Sequence, residues 1–328
     1  MAASVTRPAG SASGLGAILS ITFPIYAAIA IGYLAVKRGW FDRADMRVLG
    51  KYVLNIALPA LLFNAVASRD FSEVIHPGYM LVFAAGGLGT IAVSFSWFTF
   101  TGIDKGRRAV AVMGSSCPNS AYVGYPVLLL TLPDLAGVIL ALNTLIEVLL
   151  VVPLCLFLMD MARHERAAPL PVKLVSIFWG VTKRPMVIGL LLGLAVSVAG
   201  LPVPDTVSRL LSMLAASASA LSLVAIGGSL AVLPLGGNRV LAAQIAAGKL
   251  VLHPVMTGLA LAALPVLGLA ALPPDMAVAA ILSTAMPMFT IYVVFAQEQG
   301  LEGAASLAML TATTFSFVTL SALLFWLT

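Results

Sequence analysis

Three ionisable residues lie inside runs of otherwise apolar sequence: Glu147 in LIEVLL, and Lys249 and His253 in KLVLHP. Lys249 and His253 are four apart and so share a helix face. Charges at such positions are costly and mark proton relays or pathways, or else form a static ion pair that orients two helices. Glu147 and Lys249 each stand about ten residues into their runs, roughly 15 Å deep at 1.5 Å per residue, so one level can hold both. A second cluster is CPNSAYVGYP, Cys117 to Pro126. Proline removes a backbone donor and its ring blocks the carbonyl four residues back, so Pro118 frees Gly114 and Pro126 frees Tyr122. Asn119 donates and accepts, Ser120 and Tyr122 add hydroxyls, and Gly124 permits close approach. A helix that restarts there presents N–H groups and the positive end of its dipole, which favours an anion. The same residues would also make a proline-kinked packing helix whose Asn119 bonds a neighbour's carbonyl.

Pro118 has a counterpart in Pro287, about 169 positions later in LSTAMPMFTIYVVF. Ser283, Thr284 and Thr290 offer hydroxyls around Met286-Pro287-Met288, whose methionines supply an adaptable apolar wall. Asn55, ahead of Pro59 in VLNIALPALLF, and Asn143 in LALNTLIEV are secondary polar candidates; interhelical hydrogen bonding is the alternative for both. Ala225, Gly227 and Gly228 in AIGGSL read as a surface for close helix packing. GGLGT at Gly86 to Thr90 is no nucleotide fingerprint, and GxxxxGK[ST] and HExxH are absent. Cys117 and Cys155 both fall in apolar runs and suggest neither a disulfide framework nor zinc. No metal and no cofactor are expected.

The elements that must hold these residues follow from composition. Of 328 residues, 61% are hydrophobic and 9% charged, with a mean hydropathy of +1.06; a soluble domain is about a quarter charged. The chain therefore reads as an all-α integral membrane protein. At roughly 20 apolar residues per span, its length accommodates about ten spans and no soluble domain. The runs fall near 15–36, 48–66, 78–101, 108–131, 136–159, 185–203, 210–232, 240–267, 275–297 and 304–327. Met1 to Gly14 is short and rich in small residues, with Arg7, and the run after it is too long for a signal-peptide core. The net charge of +5 suggests no nucleic acid, because the basic residues sit in short connections. The odd-numbered connections carry Lys37, Arg38, Arg43, Arg47, Lys51, Lys105, Arg107, Arg108, Arg163, Arg166, Lys173, Lys183, Arg184 and Arg239; the even-numbered ones carry Arg69 and Arg209. The positive-inside rule then makes the odd connections cytoplasmic and puts both termini outside, in a cell (inner) membrane.

The longest connection, 162–184 with Pro169 and Pro171, divides the chain into 1–161 and 185–328. About five spans per half is an odd number, so the second half enters from the opposite side. That is a 5+5 inverted repeat with crossed, broken fourth and ninth helices.

VLNIALPALLF, SSCPNSAYVGYPVLLL, KRPMVIGLLLGL and AMPMFTIYVVFAQEQG together resemble the auxin efflux carrier family of membrane permeases, and most closely its bacterial malonate or malate permeases. The resemblance covers nearly the whole chain. It implies a fold like that of bile-acid/sodium symporters and sodium/proton antiporters, with helices 1, 2, 6 and 7 as scaffold and 3, 4, 5, 8, 9 and 10 as a moving transport domain. It also implies a secondary carrier of small organic anions with Pro118, Asn119 and Pro287 at the crossover. Bacterial relatives often follow the asparagine with a glycine and an aromatic; here Ser120, Ala121 and Tyr122 follow. The expected substrate site is Pro118, Asn119, Ser120, Tyr122, Pro126, Thr284, Met286 and Pro287, and the expected proton-coupling set is Glu147, Lys249 and His253. Sodium is the alternative coupling ion, an auxin-like aromatic carboxylate the alternative substrate, and an anion channel the alternative mechanism. An intramembrane enzyme would need a nucleophile and base, of which His253 beside Lys249 is a poor version. The reading is compatible with a homodimer.

Overall fold

The computed structural model describes residues 11–162, 179–180 and 182–327. Arg7 and the Arg163, Arg166, Pro169, Pro171 and Lys173 part of the midpoint connection lie outside them. Among the described residues, and apart from a single helical turn at Phe71–Val74, the helices in chain order are α1 (Ser11–Lys37), α2 (Arg43–Ala67), α3 (Pro77–Phe100), α4 (Lys105–Ser116), α5 (Ser120–Thr131) and α6 (Pro133–Ala162). After the midpoint come α7 (Pro185–Ala199), α8 (Asp205–Ala231), α9 (Arg239–Val266), α10 (Pro274–Thr284), α11 (Tyr292–Gln297) and α12 (Glu302–Leu327). Seven of these, α1, α2, α3, α6, α8, α9 and α12, are long and apolar enough to cross a membrane. No strand occurs among the described residues. The chain is an all-α, multi-pass membrane protein.

Several helices begin earlier than hydropathy suggests. Arg43, Arg47 and Lys51, expected in a connection, lie on the opening turns of α2. The cause is a capping box: the Asp42 carboxylate accepts from the N–H groups of Ala44 and Asp45, and Asp45 accepts in turn from the N–H of Asp42. Met46 alone among the residues of that opening stretch is buried. Arg107 and Arg108 similarly sit inside α4, which Asp104 caps by accepting from the N–H of Arg107 at 3.0 Å, and Arg209 sits inside α8.

Four helices widen by one residue at Val53–Ala57, Ser120–Gly124, Glu147–Val151 and Gly248–Leu252. In each, the residue closing the wide turn donates its N–H to the carbonyl five residues back: Leu58 to Val53, Tyr125 to Ser120, Val152 to Glu147 and His253 to Gly248. A proline follows directly every time: Pro59, Pro126, Pro153 and Pro254. The physical reason is the proline ring, which collides with the carbonyl four residues back; an extra residue in the turn moves that carbonyl aside without ending the helix.

α1 packs along α8 and α2 along α7, and α8 also packs on α2. These contacts are close because small residues remove side-chain bulk. A Cβ on Gly227 would overlap the Ile29 carbonyl, one on Gly32 the Val224 carbonyl, and one on Gly189 the Pro59 backbone. A second group packs around α9: α3, α4, α10 and α12 all contact it, and α6 contacts α3 and α4. α5 touches both groups, meeting α6 on one side and α1 and α8 on the other.

Gly227→Ala therefore forces α1 and α8 apart and is expected to cost about 1–3 kcal/mol. Gly258→Ala on α9, where a Cβ meets nothing within 4 Å, is expected to be neutral or to gain up to about 1 kcal/mol of helix propensity. Thermal unfolding of the detergent-purified variants checks both; equal losses would show that the α1–α8 contact is not close-packed.

Candidate functional site

The sequence breaks two helices at Cys117-Pro118 and Met286-Pro287, and the residue before a proline is pushed into extended conformation. Cys117 accordingly has φ −98° and ψ 104° and ends α4. The two extended pieces then pair with each other. Pro118 and Met288 form an isolated antiparallel bridge, in which the Asn119 N–H donates to the Pro287 carbonyl at 2.8 Å and the Phe289 N–H to the Cys117 carbonyl at 3.2 Å. Each break thus supplies the backbone partners that the other lacks, at a depth where a bare N–H or carbonyl is costly.

Asn119 organises the restart of the helix. Its Oδ1 accepts from the Tyr122 N–H at 3.1 Å, and its carbonyl accepts from Val123 and Gly124 at 3.2 and 2.9 Å. Its Nδ2 reaches Thr290 Oγ1 across the crossing at 3.3 Å. The N–H groups of Ser120 and Ala121 lie in the first turn of α5, where no intrahelical carbonyl precedes them. The Ser120 hydroxyl donates to the Glu147 carboxylate on α6, which stays partly exposed. A Cβ on Gly124 would come within 3.3 Å of the Asn119 carbonyl and into ordinary contact, 3.6 Å, with Met286.

Lys249 and His253 stand on α9, with relative exposures of 0% and 1%. Lys249 Nζ donates to the Thr284 carbonyl at 2.5 Å, at the end of α10, and to His253 Nδ1 at 2.9 Å. No ion pair joins Lys249 to Glu147 among the described residues; each takes other partners. Asn143 bonds between helices, accepting from Tyr79 Oη at 2.7 Å and donating to Ser283 Oγ at 2.9 Å beside the second break.

Asn55 departs from both readings of it. It is exposed and donates to the Lys51 carbonyl of its own helix at 2.8 Å, so it neither bonds between helices nor joins the cluster. Pro126 is buried inside α5. Sequence reasoning identified the Tyr122 carbonyl as freed by Pro126 but missed its partner, Ser222 on α8, which donates to it at 3.0 Å. The Tyr122 hydroxyl also donates to the Gly50 carbonyl on α2 at 3.1 Å. The serine run ASASALS at 216–222 was the available signal, because repeated hydroxyls inside an apolar helix ask for acceptors. The two free thiols also meet here, Cys117 Sγ lying 3.8 Å from Cys155 Sγ.

A chain of long apolar helices whose two broken segments exchange backbone bonds, with buried polar groups around the exchange, belongs to the class of membrane transport proteins and is not an enzyme. The model of the family described as "Membrane transport protein" matches residues 17–326, and the chain belongs to that family, the auxin efflux carrier family. It is 28% identical over 326 residues to a Rhizobium meliloti protein named "Putative malonate transporter", covering 94% of this chain and 95% of that one. Shorter matches are to an uncharacterized transporter of Methanothermobacter thermautotrophicus, 30% identical over 30% of this chain and 33% of the other, and to the uncharacterized transporter YfdV of Escherichia coli, 28% identical over 42% and 45%.

Ser222→Ala strands the Tyr122 carbonyl and is expected to cost about 1–3 kcal/mol. In a Pro126→Ala background the cost should shrink, because the new N–H at 126 reaches the same region of α5. A double-mutant cycle by thermal unfolding measures this; full additivity would show that Ser222 does not serve the proline's orphan.

Proposed function

We propose that this protein is a secondary active carrier of small organic anions, of the malonate or malate class, working by alternating access and coupled to protons. The observation that carries the reading is the backbone crossing at Pro118 and Pro287, which sets the N-terminus of α5 inside the helical bundle next to Glu147. The substrate carboxylate takes the N–H groups of Ser120 and Ala121 at that positive helix end, with Asn119, Ser120, Tyr122, Thr284, Met286 and the flanking prolines shaping the pocket. The name of the Rhizobium meliloti relative supports malonate as the first candidate.

Counting α4 with α5, and α10 with α11, as single broken spans yields a 5+5 inverted repeat. The exchange of partners supports it: α1 packs on α8 and α2 on α7, as two halves related by a two-fold require. α1, α2, α7 and α8 then form the scaffold, and the helices around α9 form the transport domain. The basic residues of the odd connections support a cell-membrane location with both termini outside.

Coupling follows from competition for one helix end. A charged Glu147, held by Ser120 at the first residue of α5, already supplies the negative charge which that end attracts. Protonation of Glu147 removes the charge and leaves the end to the substrate's carboxylate. Tyr79, Cys117 and Lys249 are the other ionisable groups in electrostatic reach of Glu147.

The test is uptake of radiolabelled malonate into proteoliposomes under an imposed pH gradient. The native protein is expected to show saturable, gradient-driven uptake, and Asn119→Ala to lose it at least tenfold, the equivalent of about 1.4 kcal/mol. Glu147→Gln is expected to lose the response to the gradient while retaining malonate counterflow. Uptake unaffected by Asn119→Ala would move the site elsewhere, and an unchanged gradient response in Glu147→Gln would remove that residue from coupling.

A further inference from the structure

The C-terminal end of a broken helix carries the negative end of its dipole and carbonyls with no N–H ahead of them, which is where carriers of this architecture coordinate a coupling cation. In this chain that end of α10 is already taken. Lys249 Nζ donates to the Thr284 carbonyl at 2.5 Å, and the ammonium is completely shielded from solvent. The second acceptor is His253 Nδ1 at 2.9 Å. Lysine only donates here, so the ring proton of His253 is on Nε2, which finds no partner among the described residues. An imidazole turned to accept, at the cost of an orphaned N–H, is the arrangement of a ring recruited to hold a cation. The C-terminal half of α4 lies close by as well: Gly248 sits against Ser115, the missing side chain allowing the contact.

We propose that the Lys249 ammonium is a resident cation, occupying the position at the end of α10 that a monovalent ion would otherwise fill, and that the carrier consequently has no sodium site there and works without sodium. The inference rests on the carrier reading but not on malonate as substrate. Glu147 does not neutralise Lys249 by contact, since it is engaged by Ser120; the charge is balanced by the helix end itself.

The test is thermal unfolding of the purified full chain in choline chloride and in sodium chloride at equal ionic strength. The native protein is expected to melt at the same temperature in both. Lys249→Ala is expected to melt lower in choline and to regain about half or more of the loss as sodium is raised, as mass action requires of an ion bound only by the folded state. Lys249→Met, which fills the space without the charge, is expected to lose stability in both salts. A sodium-dependent rise in the native protein, or no response to sodium in Lys249→Ala, overturns the proposal. Should Lys249→Ala not fold, binding of radioactive sodium to the native protein decides: saturable binding overturns it and none supports it. Neither readout involves an organic anion, so failure of malonate uptake and failure of this inference are separately visible.

Discussion

A peptide group with no hydrogen-bond partner is tolerated in water and hardly at all in hydrocarbon, and the structure is arranged around that asymmetry. Two helices are broken at Pro118 and Pro287, so each exposes carbonyls on one side of the break and N–H groups on the other. Neither break is stable alone. The antiparallel exchange between Cys117–Asn119 and Pro287–Phe289 satisfies both at once, which explains why the two sequences must meet and why extended backbone occurs at this depth. Further groups take side-chain partners: Asn119 Oδ1 takes the Tyr122 N–H, Ser222 serves the Tyr122 carbonyl, and Lys249 serves Thr284, while the N–H groups of Ser120 and Ala121 stand at the open start of α5.

The same constraint accounts for the four widened turns. A proline in a continuous helix would orphan a carbonyl by steric collision, and each helix absorbs the collision with one extra residue rather than with a break. The widened turns contain Glu147 and Lys249, and one opens α5. The prolines thus place the ionisable residues as well as bending the backbone, because an added residue rotates every side chain that follows it relative to the helix face that precedes it.

Much of this was legible in the sequence. Apolar runs gave the long helices, and the pairing of Pro118 with Pro287 pointed to two related breaks. Burial of Lys249 and His253 followed from their place in KLVLHP. What escaped was anything that depends on a partner distant in sequence. Nothing local links Ser222 to Tyr122, a hundred residues apart, nor decides whether a lysine will meet a glutamate or a helix end. Asn55 was misjudged for the opposite reason: a polar residue in an apolar run invites an interhelical partner, but the carbonyl of Lys51, one turn back, was nearer. The early start of α2 was readable in principle from Asp42 and Asp45, and hydropathy overrode it because the capped turns are basic.

The Glu147 carboxylate and the Lys249 ammonium are complementary to helix ends rather than to each other. Glu147 lies against the first residue of α5, a positive end, and Lys249 against the last of α10, a negative end. A direct ion pair would have fixed the two helices and left both dipole ends uncompensated. With separate partners, a change of charge at Glu147 alters the field at the start of α5 without releasing Lys249 from α10. The two ends of the crossing are thus compensated independently, one by a partly exposed carboxylate and the other by a fully buried ammonium.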